Sequence, residues 1–333
     1  MAAKPPSFLI INVSRIGDTL LVTPAIRAVA RAIPGAAITF LGHPKRCEVV
    51  RHLPYVSAVK EITKNRAWLL GWRGPRYDFA LVYGFDLPLV KYALRVAERV
   101  VAFRQKHAAI NQQLYRAVEP PAFQSLHSAR VSLLLTAALD IAPDGHALAY
   151  EVSGEERAWA QTFLQGRIPS GKHPLVGLQV ASFPTKAYRD WPVLHFAALC
   201  QKILSAYPQA HFLLLGGKEE SAKIRELEQQ LSNHVTVVAG KLSLRQTAAL
   251  MQQLNLYVGV DTGPTHLAGA IGVPMVALYH CHSPGRLLAP LERGNLQVVE
   301  HPALDAGGTL ESAMAEIPVE RVWQAVQTLL KNS

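Results

Sequence analysis

Residues 256 to 278 read Leu-Tyr-Val-Gly-Val-Asp-Thr-Gly-Pro-Thr-His-Leu-Ala-Gly-Ala-Ile-Gly-Val-Pro-Met-Val-Ala-Leu. The first five residues predict a strand buried on both faces, and residues 274–278 predict another. Between them, Gly263 allows an unusual backbone angle and Pro264 suits the first turn of a helix. A strand thus delivers a polar loop to a helix N-terminus, where unpaired N–H groups and the helix dipole favour an anion such as a diphosphate.

Short runs rich in Val, Ile and Leu alternate with helical periodicities along the chain, which predicts parallel sheets covered by helices. The first half has predicted strands at residues 8–13, 37–41, 79–83 and 99–103, with helices at 18–33 and 86–98. A second series has predicted strands at residues 175–180, 212–215 and 235–238, with helices at 193–207, 218–231 and 244–253. Residues 165–172 between the two series have the composition of a linker.

This alternation predicts an α/β chain of two Rossmann-like, doubly wound domains that face a central cleft, with ligands at the carboxyl ends of the strands. The predicted domains are residues 1–168 and 169–315, followed by a helix in residues 316–333 for which packing back on the first domain is one option. No Gly-x-Gly-x-x-Gly follows the first strand, and no Gly-x-x-x-x-Gly-Lys-Ser/Thr occurs. Dinucleotide oxidoreductases and P-loop phosphohydrolases are therefore disfavoured.

Composition narrows the class of protein further. The chain has 333 residues, 50% of them hydrophobic, which is enough to bury a sizeable core. No run approaches the ~18 apolar residues that span a bilayer, and residues 1–7 lack the apolar core of a signal peptide, so a cytoplasmic location is expected. Cys47, Cys200 and Cys281 are too few and too scattered for a disulfide framework or a Cys-x-x-Cys metal site.

Positive charge is concentrated in the first half of the chain. Residues 1–170 hold 21 Lys and Arg against 12 Asp and Glu, whereas residues 171–333 hold 13 against 12. Residues 51–130 alone hold 13 against 5. Such a field attracts an anionic partner: nucleic acid, a phosphorylated glycolipid or an anionic membrane surface.

A carboxylate follows the first predicted strand, in Ser14-Arg15-Ile16-Gly17-Asp18-Thr19. On this strand-to-helix turn, Asp18 would point into the cleft as a candidate catalytic base. The residue pattern alone favours a different role, because Asp commonly caps a helix by accepting hydrogen bonds from its first N–H groups.

Two loops of the second series carry further candidates. Residues 181–192 contain Thr185, Lys186 and Arg189, whose hydroxyl and cationic groups could cradle phosphate oxygens, although solvated loop charges explain both cations equally well. In Gly216-Gly217-Lys218-Glu219-Glu220, a carboxylate suits a ribose hydroxyl, but acidic residues are also ordinary in a first helical turn.

The helix predicted at residues 86–98 has an apolar stripe, with Lys91 and Arg95 four residues apart on another face and Arg99 just beyond. Most such polar faces are simply solvated. The positive surplus around it, which includes Arg66, raises the alternative that this half receives a polyanion or touches a membrane.

His280-Cys281-His282 is a weak candidate for a metal site. Adjacent side chains on an extended segment point to opposite faces, so only the two histidines share one, and no carboxylate lies nearby in the sequence. No metal site is therefore predicted.

Several blocks, in order from about residue 8 to residue 286, resemble the family 9 glycosyltransferases, the ADP-heptose:lipopolysaccharide heptosyltransferases. These blocks are Ser14-Arg15-Ile16-Gly17-Asp18, His52-Leu53-Pro54-Tyr55-Val56, Gly216-Gly217 with Glu219-Glu220, Ala239-Gly240-Lys241, and Asp261-Thr262-Gly263-Pro264-Thr265-His266. The resemblance implies the GT-B architecture, in which the N-terminal domain holds the acceptor and the C-terminal domain holds the ADP-sugar.

The resemblance also implies that Asp18 is the general base, which reverses the preference for a cap. Asp18 would take the proton of the acceptor hydroxyl as that oxygen attacks the anomeric carbon, and ADP would leave with inversion. The candidate donor-binding residues are Thr185, Lys186, Arg189, Glu219, Glu220, Lys241, Asp261, Thr262, Gly263 and His266. The candidate acceptor-binding residues are Arg15, Arg66, Arg95 and Arg99.

The chain departs from the family pattern at two positions. Relatives usually have Lys-x-Trp-Pro, whereas this chain has Arg189-Asp190-Trp191-Pro192 with Lys186 three residues earlier, so either cation is a candidate for the diphosphate. The loop after the last core strand, commonly Gly-Pro-Thr-x-Pro, is His280-Cys281-His282-Ser283-Pro284 here. The identity of donor and acceptor is therefore left open at this loop.

The sequence predicts an inverting glycosyltransferase that moves heptose from ADP-heptose to the inner core of lipopolysaccharide at the cytoplasmic face of the inner membrane, without a metal or other cofactor. Its expected partners are an ADP-sugar, an anionic glycolipid acceptor and an anionic membrane surface, and not nucleic acid. The alternatives are a transferase with another nucleotide-sugar or a protein acceptor, a GT-B sugar epimerase, and a non-catalytic protein that binds anions or nucleic acid.

Overall fold

The computed structural model describes residues 5–74, 76–217 and 221–331. The chain divides into two compact units, Met1–Glu151 and Val152–Ser333. Across the described ranges, no helix combines the length and the apolar character needed to cross a membrane.

Strands and helices alternate through the first unit. Their order and bounds are β1 Ser7–Asn12, α1 Ile16–Leu20, α2 Thr23–Ala32, β2 Ala37–Gly42, β3 Ala58–Glu61, β4 Tyr77–Val82, α3 Leu87–Val96, β5 Ala97–Phe103, α4 Ala108–Asn111, β6 Arg116–Val118 and α5 Ser128–Ala137. The strands form one parallel sheet in the order β3-β2-β1-β4-β5-β6. In the central strand β1, Phe8, Ile10 and Ile11 are at most 1% exposed, so the core covers both faces of the sheet.

The second unit repeats this alternation. Its elements are α6 Gly154–Gln165, β7 Leu175–Gln179, α7 Val193–Ala206, β8 His211–Leu215, α8 Ser221–Leu231, β9 Val235–Val237, α9 Leu244–Met251, β10 Leu256–Val260, α10 Gly263–Ile271, β11 Met275–Tyr279, α11 Gly285–Leu288, β12 Leu296–Glu300 and α12 Val319–Leu330. The parallel sheet has the order β12-β11-β10-β7-β8-β9. Every residue of β7, β10 and β11 is buried, as the sequence predicts for β10.

Both sheets have the same winding. Numbered within its own unit, each has the strand order 3-2-1-4-5-6, in which the direction of winding reverses between strands 1 and 4. Ligands of doubly wound proteins bind beyond the carboxyl ends of the strands at this reversal. The relevant loops follow β1 and β4 in the first unit, and β7 and β10 in the second.

The helix predicted at residues 18–33 is interrupted in the structure. α1 ends at Leu20 and α2 begins at Thr23, with Pro24 in its first turn. Because the ring of Pro24 would clash with the carbonyl of Leu20 in a continuous helix, the chain breaks between them. The helix predicted at 86–98 likewise ends earlier, at Val96, and β5 follows at once.

The structure divides the chain earlier than the predicted boundary at residue 168. α6 belongs to the second unit because it packs on α9. Glu156 of α6 accepts two hydrogen bonds from Arg245 of α9, from Nε at 2.7 Å and from Nη2 at 2.6 Å. The linker-like residues 165–172 therefore connect α6 to β7 within one unit.

The C-terminal helix α12 also belongs to the second unit. It packs on α7 and against β10, β11 and β12, and Val322 and Val326 are fully buried there. Just before the helix, the carbonyl of Ile317 accepts a hydrogen bond from Trp191 Nε1 at 3.0 Å. An amphipathic helix needs an apolar partner, and the apolar face of α12 packs on the second sheet. Packing on the first domain, the option that the sequence leaves open, is not what the structure shows.

Candidate functional site

Asp18 lies on the first turn after β1. It is the third residue of α1, and its Oδ2 accepts a hydrogen bond from the backbone N–H of Arg15 at 3.3 Å. The capping bond suggested by the residue pattern is therefore present, although Arg15 is the N-cap residue and Asp18 reaches back from inside the helix. Asp18 is nevertheless exposed, so capping does not remove it from contact with a ligand.

A cavity of about 160 Å³ opens beside Asp18, at the carboxyl ends of β1 and β4. Its polar lining consists of Asn12, Ser14, Asp18, Tyr83, Ser128 and Ser132. Its apolar lining consists of Leu21, Val22, Phe103 and Val131. A few polar groups set in an apolar wall suit a sugar, which offers hydroxyls at its edges and C–H groups on its faces.

Two residues that line this cavity each carry a buried polar atom that has no hydrogen-bond partner among the described residues: Asn12 Oδ1 and the Tyr83 hydroxyl. Asn12 Nδ2 donates to the main-chain carbonyl of Asp18 at 3.1 Å, which orients the Asn12 amide. Burial raises the pKa of Tyr83 well above its usual range, so the phenol stays neutral and can donate. Since unsatisfied buried polar groups cost free energy, a ligand hydroxyl would relieve both.

Sequence reasoning misses Asn12 and Tyr83. The available signal is weak: each is a polar or amphipathic residue at the end of an apolar run. Asparagine and tyrosine are common at such positions for structural reasons alone. Only the fold, which sets β1 beside β4, brings the two residues to one cavity.

The arginines predicted to bind the acceptor do not lie together. Arg15 is exposed on the same turn as Asp18. Arg99 is the third residue of β5, and the strand register places it four residues before the carboxyl end of β1, about 13 Å away along the strands. Arg95 lies in the last turn of α3, just before β5. Arg95 and Arg99 are therefore near the amino edge of the sheet, whereas Asp18 is at the carboxyl edge.

Arg95 instead holds a segment of chain that follows β3. It donates to the carbonyls of Leu70, from Nε at 3.0 Å, and of Ala67, from Nη2 at 2.6 Å. Its guanidinium carbon lies 4.6 Å from the centre of the Trp72 ring. Arg66 is exposed at the start of this segment. Arg95 thus has a structural role that its helix position does not reveal.

In the second unit, Asp261 and Arg189 form an ion pair at the carboxyl ends of β10 and β7. Arg189 Nη1 lies 2.7 Å from Asp261 Oδ2, and Asp261 is only 2% exposed. His266 Nε2 lies 3.7 Å from the other carboxylate oxygen. The loop after β10 therefore carries a buried carboxylate whose charge is compensated by a cation from the loop after β7.

Arg189 makes further hydrogen bonds within the protein. It donates from Nη2 to Ser283 Oγ at 3.0 Å and from Nε to the hydroxyl of Tyr188 at 3.1 Å. Burial alone would raise the pKa of Tyr188, but hydrogen bonds with Ser283 and Arg189 and the charges of Arg189 and Lys186 together lower that pKa. Arg189 therefore joins the loops after β7, β10 and β11.

Lys186 is placed differently on the same loop. Its Nζ lies 5.7 Å from the centre of the Tyr188 ring, and the side chain is half-buried. Thr185 is exposed beside it on the short 3-10 helix Pro184–Arg189. Of the two cations that the sequence leaves open, Arg189 is engaged with a carboxylate, whereas the ammonium of Lys186 lies over an aromatic face.

The residues around Arg189 fix the loop. Asp190 accepts hydrogen bonds from Ser182, from the backbone N–H at 2.7 Å and from Oγ at 2.6 Å, and it pairs with Lys223 Nζ at 2.6 Å. Trp191 is fully buried and meets Phe196 edge to face, with 5.0 Å between ring centres. The contacts of Asp190 and Trp191 therefore fix the backbone next to Arg189, from which the Arg189 side chain reaches Asp261.

The helix predicted after Asp261 begins where expected. Thr262 is the N-cap residue of α10, Gly263 is its first residue, and Pro264 lies in its first turn. The hydroxyl of Thr265 donates to the carbonyl of Val260, which ties the helix start to the end of β10. Pro264 has no N–H, and the N–H groups of Thr265 and His266 donate to the carbonyl of Thr262 at 3.1 Å and 3.3 Å. The dipole of this nine-residue helix still favours an anion at its start, and the diphosphate site expected there stays a prediction.

The loop after β11 packs on Tyr188. The rings of His280 and His282 meet Tyr188 edge-on, with centres 5.0 Å and 6.2 Å away. His280 is fully buried, and its Nε2 lies 2.7 Å from the carbonyl of Ser312. Burial lowers the pKa of His280, against the opposing effect of that carbonyl. His282 is exposed, so only this histidine can meet a ligand directly.

A second cavity, of about 290 Å³, lies beyond β8 and β9. It is lined by Gly217, Ile224, Arg225, Glu228, Val237, Ala239, Gly240 and Lys241. The apolar residues suit the faces of a nucleobase, and sequence reasoning misses Ile224 and Glu228. Lys241, predicted to bind the donor, lines the cavity but donates from Nζ to the carbonyl of Val237 at 2.9 Å. Glu219 and Glu220, also predicted donor residues, lie outside the described residues.

Two parallel sheets with this winding, each carrying polar loops at its reversal, define the class as a two-domain α/β protein of Rossmann-like units. Residues 88–304 match the model of glycosyltransferase family 9 (heptosyltransferase). The chain is 22% identical over 341 residues to lipopolysaccharide heptosyltransferase 3 of Escherichia coli, covering 95% of this chain and 97% of that protein.

Solved structures agree on the fold. The family 9 glycosyl transferase from Veillonella parvula DSM 2008 matches with a TM-score of 0.84 at 20% identity, over 100% of this chain and 99% of that one. The E. coli ADP-heptose lps heptosyltransferase II matches with a TM-score of 0.78 at 20% identity, over 98% and 99%. The predicted α/β fold of the GT-B class is confirmed. The chain belongs to glycosyltransferase family 9 and is a glycosyltransferase.

Proposed function

We propose that this protein transfers heptose from ADP-heptose to the inner core of lipopolysaccharide, with inversion at the anomeric carbon. Family membership supplies the class of reaction. The names of its relatives support the finer statement, since one is a lipopolysaccharide heptosyltransferase and another an ADP-heptose heptosyltransferase. The observation that carries the proposal is an exposed carboxylate, Asp18, beside a small polar cavity at the sheet reversal of the first unit.

In the proposed reaction, Asp18 is the general base. The acceptor hydroxyl gives its proton to the Asp18 carboxylate while its oxygen forms a bond to the anomeric carbon of the donor. The bond between that carbon and the diphosphate oxygen breaks, and ADP leaves with the electron pair. Asn12 Oδ1 and the Tyr83 hydroxyl would hold neighbouring hydroxyls of the acceptor sugar, because both are buried and without a partner in the described residues. Positioning would supply much of the rate.

The second unit is proposed to bind the donor. The start of α10, with Thr262 and Gly263, would receive the diphosphate, and Lys186 would add a cation that stabilises the departing charge. Asp261 would act chiefly by holding Arg189 in place, with His266 beside it at the donor sugar. The cavity beyond β9, with Lys241 in its wall, would take the nucleoside.

The acceptor is proposed to be an anionic glycolipid reached at the cytoplasmic face of the inner membrane. The positive excess of residues 1–170 supports this assignment, because a lipid-anchored core sugar carries negative charge. Arg15, on the same turn as Asp18, is the arginine best placed to meet that charge near the reaction. Arg95 and Arg99 would act elsewhere, since they lie toward the other edge of the sheet.

The test is a transfer assay with purified protein, a de-acylated core acceptor and a panel of nucleotide-sugars. We expect transfer from ADP-heptose and not from UDP- or GDP-sugars, with nuclear magnetic resonance of the product giving the opposite anomeric configuration to the donor. A preference for another donor, or retention of configuration, would refute the proposal in its present form. Release of altered free sugar without acceptor would identify an epimerase instead.

A further inference from the structure

The segment between β3 and β4 exposes large apolar side chains in a row. Trp68 is 64% exposed, Leu69 55%, Leu70 44% and Trp72 73%. We call residues 66–73 the tryptophan turn. Single exposed apolar residues are ordinary on a protein surface, but four within five consecutive positions form a contiguous patch that water disfavours. Such a patch marks a surface that contacts something else.

Specific contacts fix the backbone conformation of the tryptophan turn. Arg95 bonds two of its carbonyls, as described above, and its guanidinium stacks on Trp72. Gly71 has a φ of 89° and packs so closely on Val96 and Tyr92 that an added Cβ would come within 2.8 Å of the Val96 side chain. Trp72 Nε1 also donates to the carbonyl of Trp68 at 3.2 Å. The indoles are therefore presented outward by a defined backbone.

Positive charge surrounds the patch. Residues 60–76 contain five Lys and Arg against one acidic residue, Glu61. Arg66, Arg73 and Arg76 are exposed, while Lys64 pairs with Asp86 at 2.8 Å. Below the turn, an open cavity of about 510 Å³ continues the surface, and Leu69, Trp72 and Arg73 are among its lining residues. Tryptophan and leucine beside arginine is the composition that binds the interface of an anionic bilayer.

We propose that the tryptophan turn docks this protein on an anionic lipid bilayer, with Trp68, Leu69 and Trp72 at the level of the headgroups and Arg66, Arg73 and Arg76 on the lipid phosphates. The inference rests on the proposed function in one respect: it supplies the membrane contact that a lipid-anchored acceptor requires. The proposal assigns the membrane contact to the tryptophan turn and not to the charged face of α3. Arg95 of α3 then acts as a positioning residue, because it holds the backbone of the turn.

The test uses the full chain and vesicles that contain neither donor nor acceptor. Mixed phosphatidylglycerol and phosphatidylcholine vesicles are compared with pure phosphatidylcholine in a sedimentation assay over a range of salt concentrations. We expect binding to the anionic vesicles only, weakened by salt. Lipids brominated along their chains should quench the fluorescence of Trp68 and Trp72 on binding. Trp191 and Trp323 are shielded, at 0% and 8% exposure. Trp159, which is half-buried on α6, is replaced by Phe in the background used for this measurement, so that it does not contribute to the signal.

Matched variants separate the turn from the rest of the surface. Trp68→Ser with Leu69→Ser should weaken vesicle binding about tenfold or more, as should Arg73→Glu with Arg76→Glu. Phe123→Ser, at a residue 86% exposed in the same unit, and the charge reversal Arg51→Glu should each leave binding within about twofold of the parent. Equal binding by all variants, or no quenching, would overturn the proposal.

Two further outcomes are informative. If the turn variants dissociate an oligomer in analytical ultracentrifugation without lipid, the patch is an interface between copies and the membrane proposal is wrong. Transfer to a soluble, de-acylated acceptor should keep its kcat/KM in the turn variants. The membrane inference can therefore fail while the proposed reaction stands, and the reaction can fail while vesicle binding persists.

Discussion

The guanidinium of Arg189 and the carboxylate of Asp261 are joined at 2.7 Å although 72 residues separate them in the chain. Each follows one of the two strands, β7 and β10, between which the winding of the second sheet reverses. Because Asp261 is almost completely buried, its charge depends on this partner. The pair therefore couples the stability of the second unit to the geometry of its candidate donor site.

Removing one member of this pair should cost more than removing both. Arg189→Gln leaves the Asp261 carboxylate buried without the cation that pairs with it at 2.7 Å, so we expect the free energy of unfolding to fall by about 3 kcal/mol. The double variant Arg189→Gln with Asp261→Asn should recover much of that loss. Urea unfolding of Arg189→Gln, Asp261→Asn and the double variant measures the coupling. Additive losses would show that the two side chains do not depend on each other.

Lys186 should affect donor binding without affecting stability. Its ammonium lies over the Tyr188 ring rather than on a carboxylate, so Lys186→Gln gives up only a weak cation–π contact and should change the free energy of unfolding by less than about 1 kcal/mol. We expect the KM for the nucleotide-sugar to rise about tenfold, the size of one charge-assisted hydrogen bond, with an unchanged melting temperature. Lys202→Gln on α7, which removes a surface ion pair with Glu320, is the control and should leave KM unchanged. If Lys186→Gln has the KM of the parent, Lys186 does not bind the diphosphate and Arg189 becomes the candidate cation.

Asp18→Asn should separate catalysis from helix capping. The amide oxygen of asparagine can still accept the N–H of Arg15, so the free energy of unfolding should change by less than about 1 kcal/mol. Without a base, kcat should fall by about 10²- to 10⁴-fold while the donor KM stays the same. Asp18→Ala, which also loses the cap, should show the same kcat and a lower stability. Near-normal turnover in Asp18→Asn would remove this residue from the chemistry.

Tyr83→Phe provides a readout of the acceptor cavity. The hydroxyl lost is buried and has no hydrogen-bond partner among the described residues, so the variant should be as stable as the parent or slightly more stable. If the hydroxyl binds the acceptor sugar, the acceptor KM should rise about fivefold to tenfold with the donor KM unchanged. Equal acceptor kinetics in the variant and the parent would exclude Tyr83 from the sugar site.

The parts of the fold that the sequence predicts are those encoded locally. The run Leu256–Val260 is apolar throughout, and Gly263 with Pro264 indicates the helix start, so this loop and its helix could be predicted from adjacent residues. The short, partly exposed strands β6 and β12 lack that signal and were not predicted. The break at Pro24 has a different cause: the helical periodicity continues across it and predicts one helix, although the proline ring ends the first helix by its clash with the carbonyl of Leu20.

The candidate site is harder to predict from the sequence than the fold, because its contacts join residues that are far apart in the chain. Arg189 meets Ser283, 94 positions away, and Arg95 meets Leu70 of a segment with no regular periodicity. The charge pattern of the sequence predicts that Arg95 binds the acceptor, because the pattern does not distinguish a cation that binds a ligand from one that donates to two main-chain carbonyls. Asn12 and Tyr83 become a pair only once β1 and β4 are neighbours.

His211 should make the protein sensitive to mild acid. It begins β8, is 2% exposed, and its Nε2 lies 2.8 Å from Thr236 Oγ1. Burial, with the nearby charges of Lys172 and His234, lowers the pKa of His211 to about 4, from 6.5 in the unfolded chain. The unfolded state therefore binds a proton that the folded state refuses, and the stability present above pH 6.5 is lost as the pH falls toward 4.

At about 1.4 kcal/mol for each pH unit, the lowered pKa of His211 contributes at most about 3 kcal/mol to the pH dependence of stability. His280, whose pKa is also lowered by burial, adds to the acid sensitivity. His211→Asn removes the titrating group, so its free energy of unfolding should depend less steeply on pH between neutrality and mild acid. His282→Asn, at an exposed histidine, should retain the parent slope. Parallel curves for the parent and His211→Asn in urea unfolding would mean that His211 is protonated in the folded protein, and that the core beside β8 tolerates its charge.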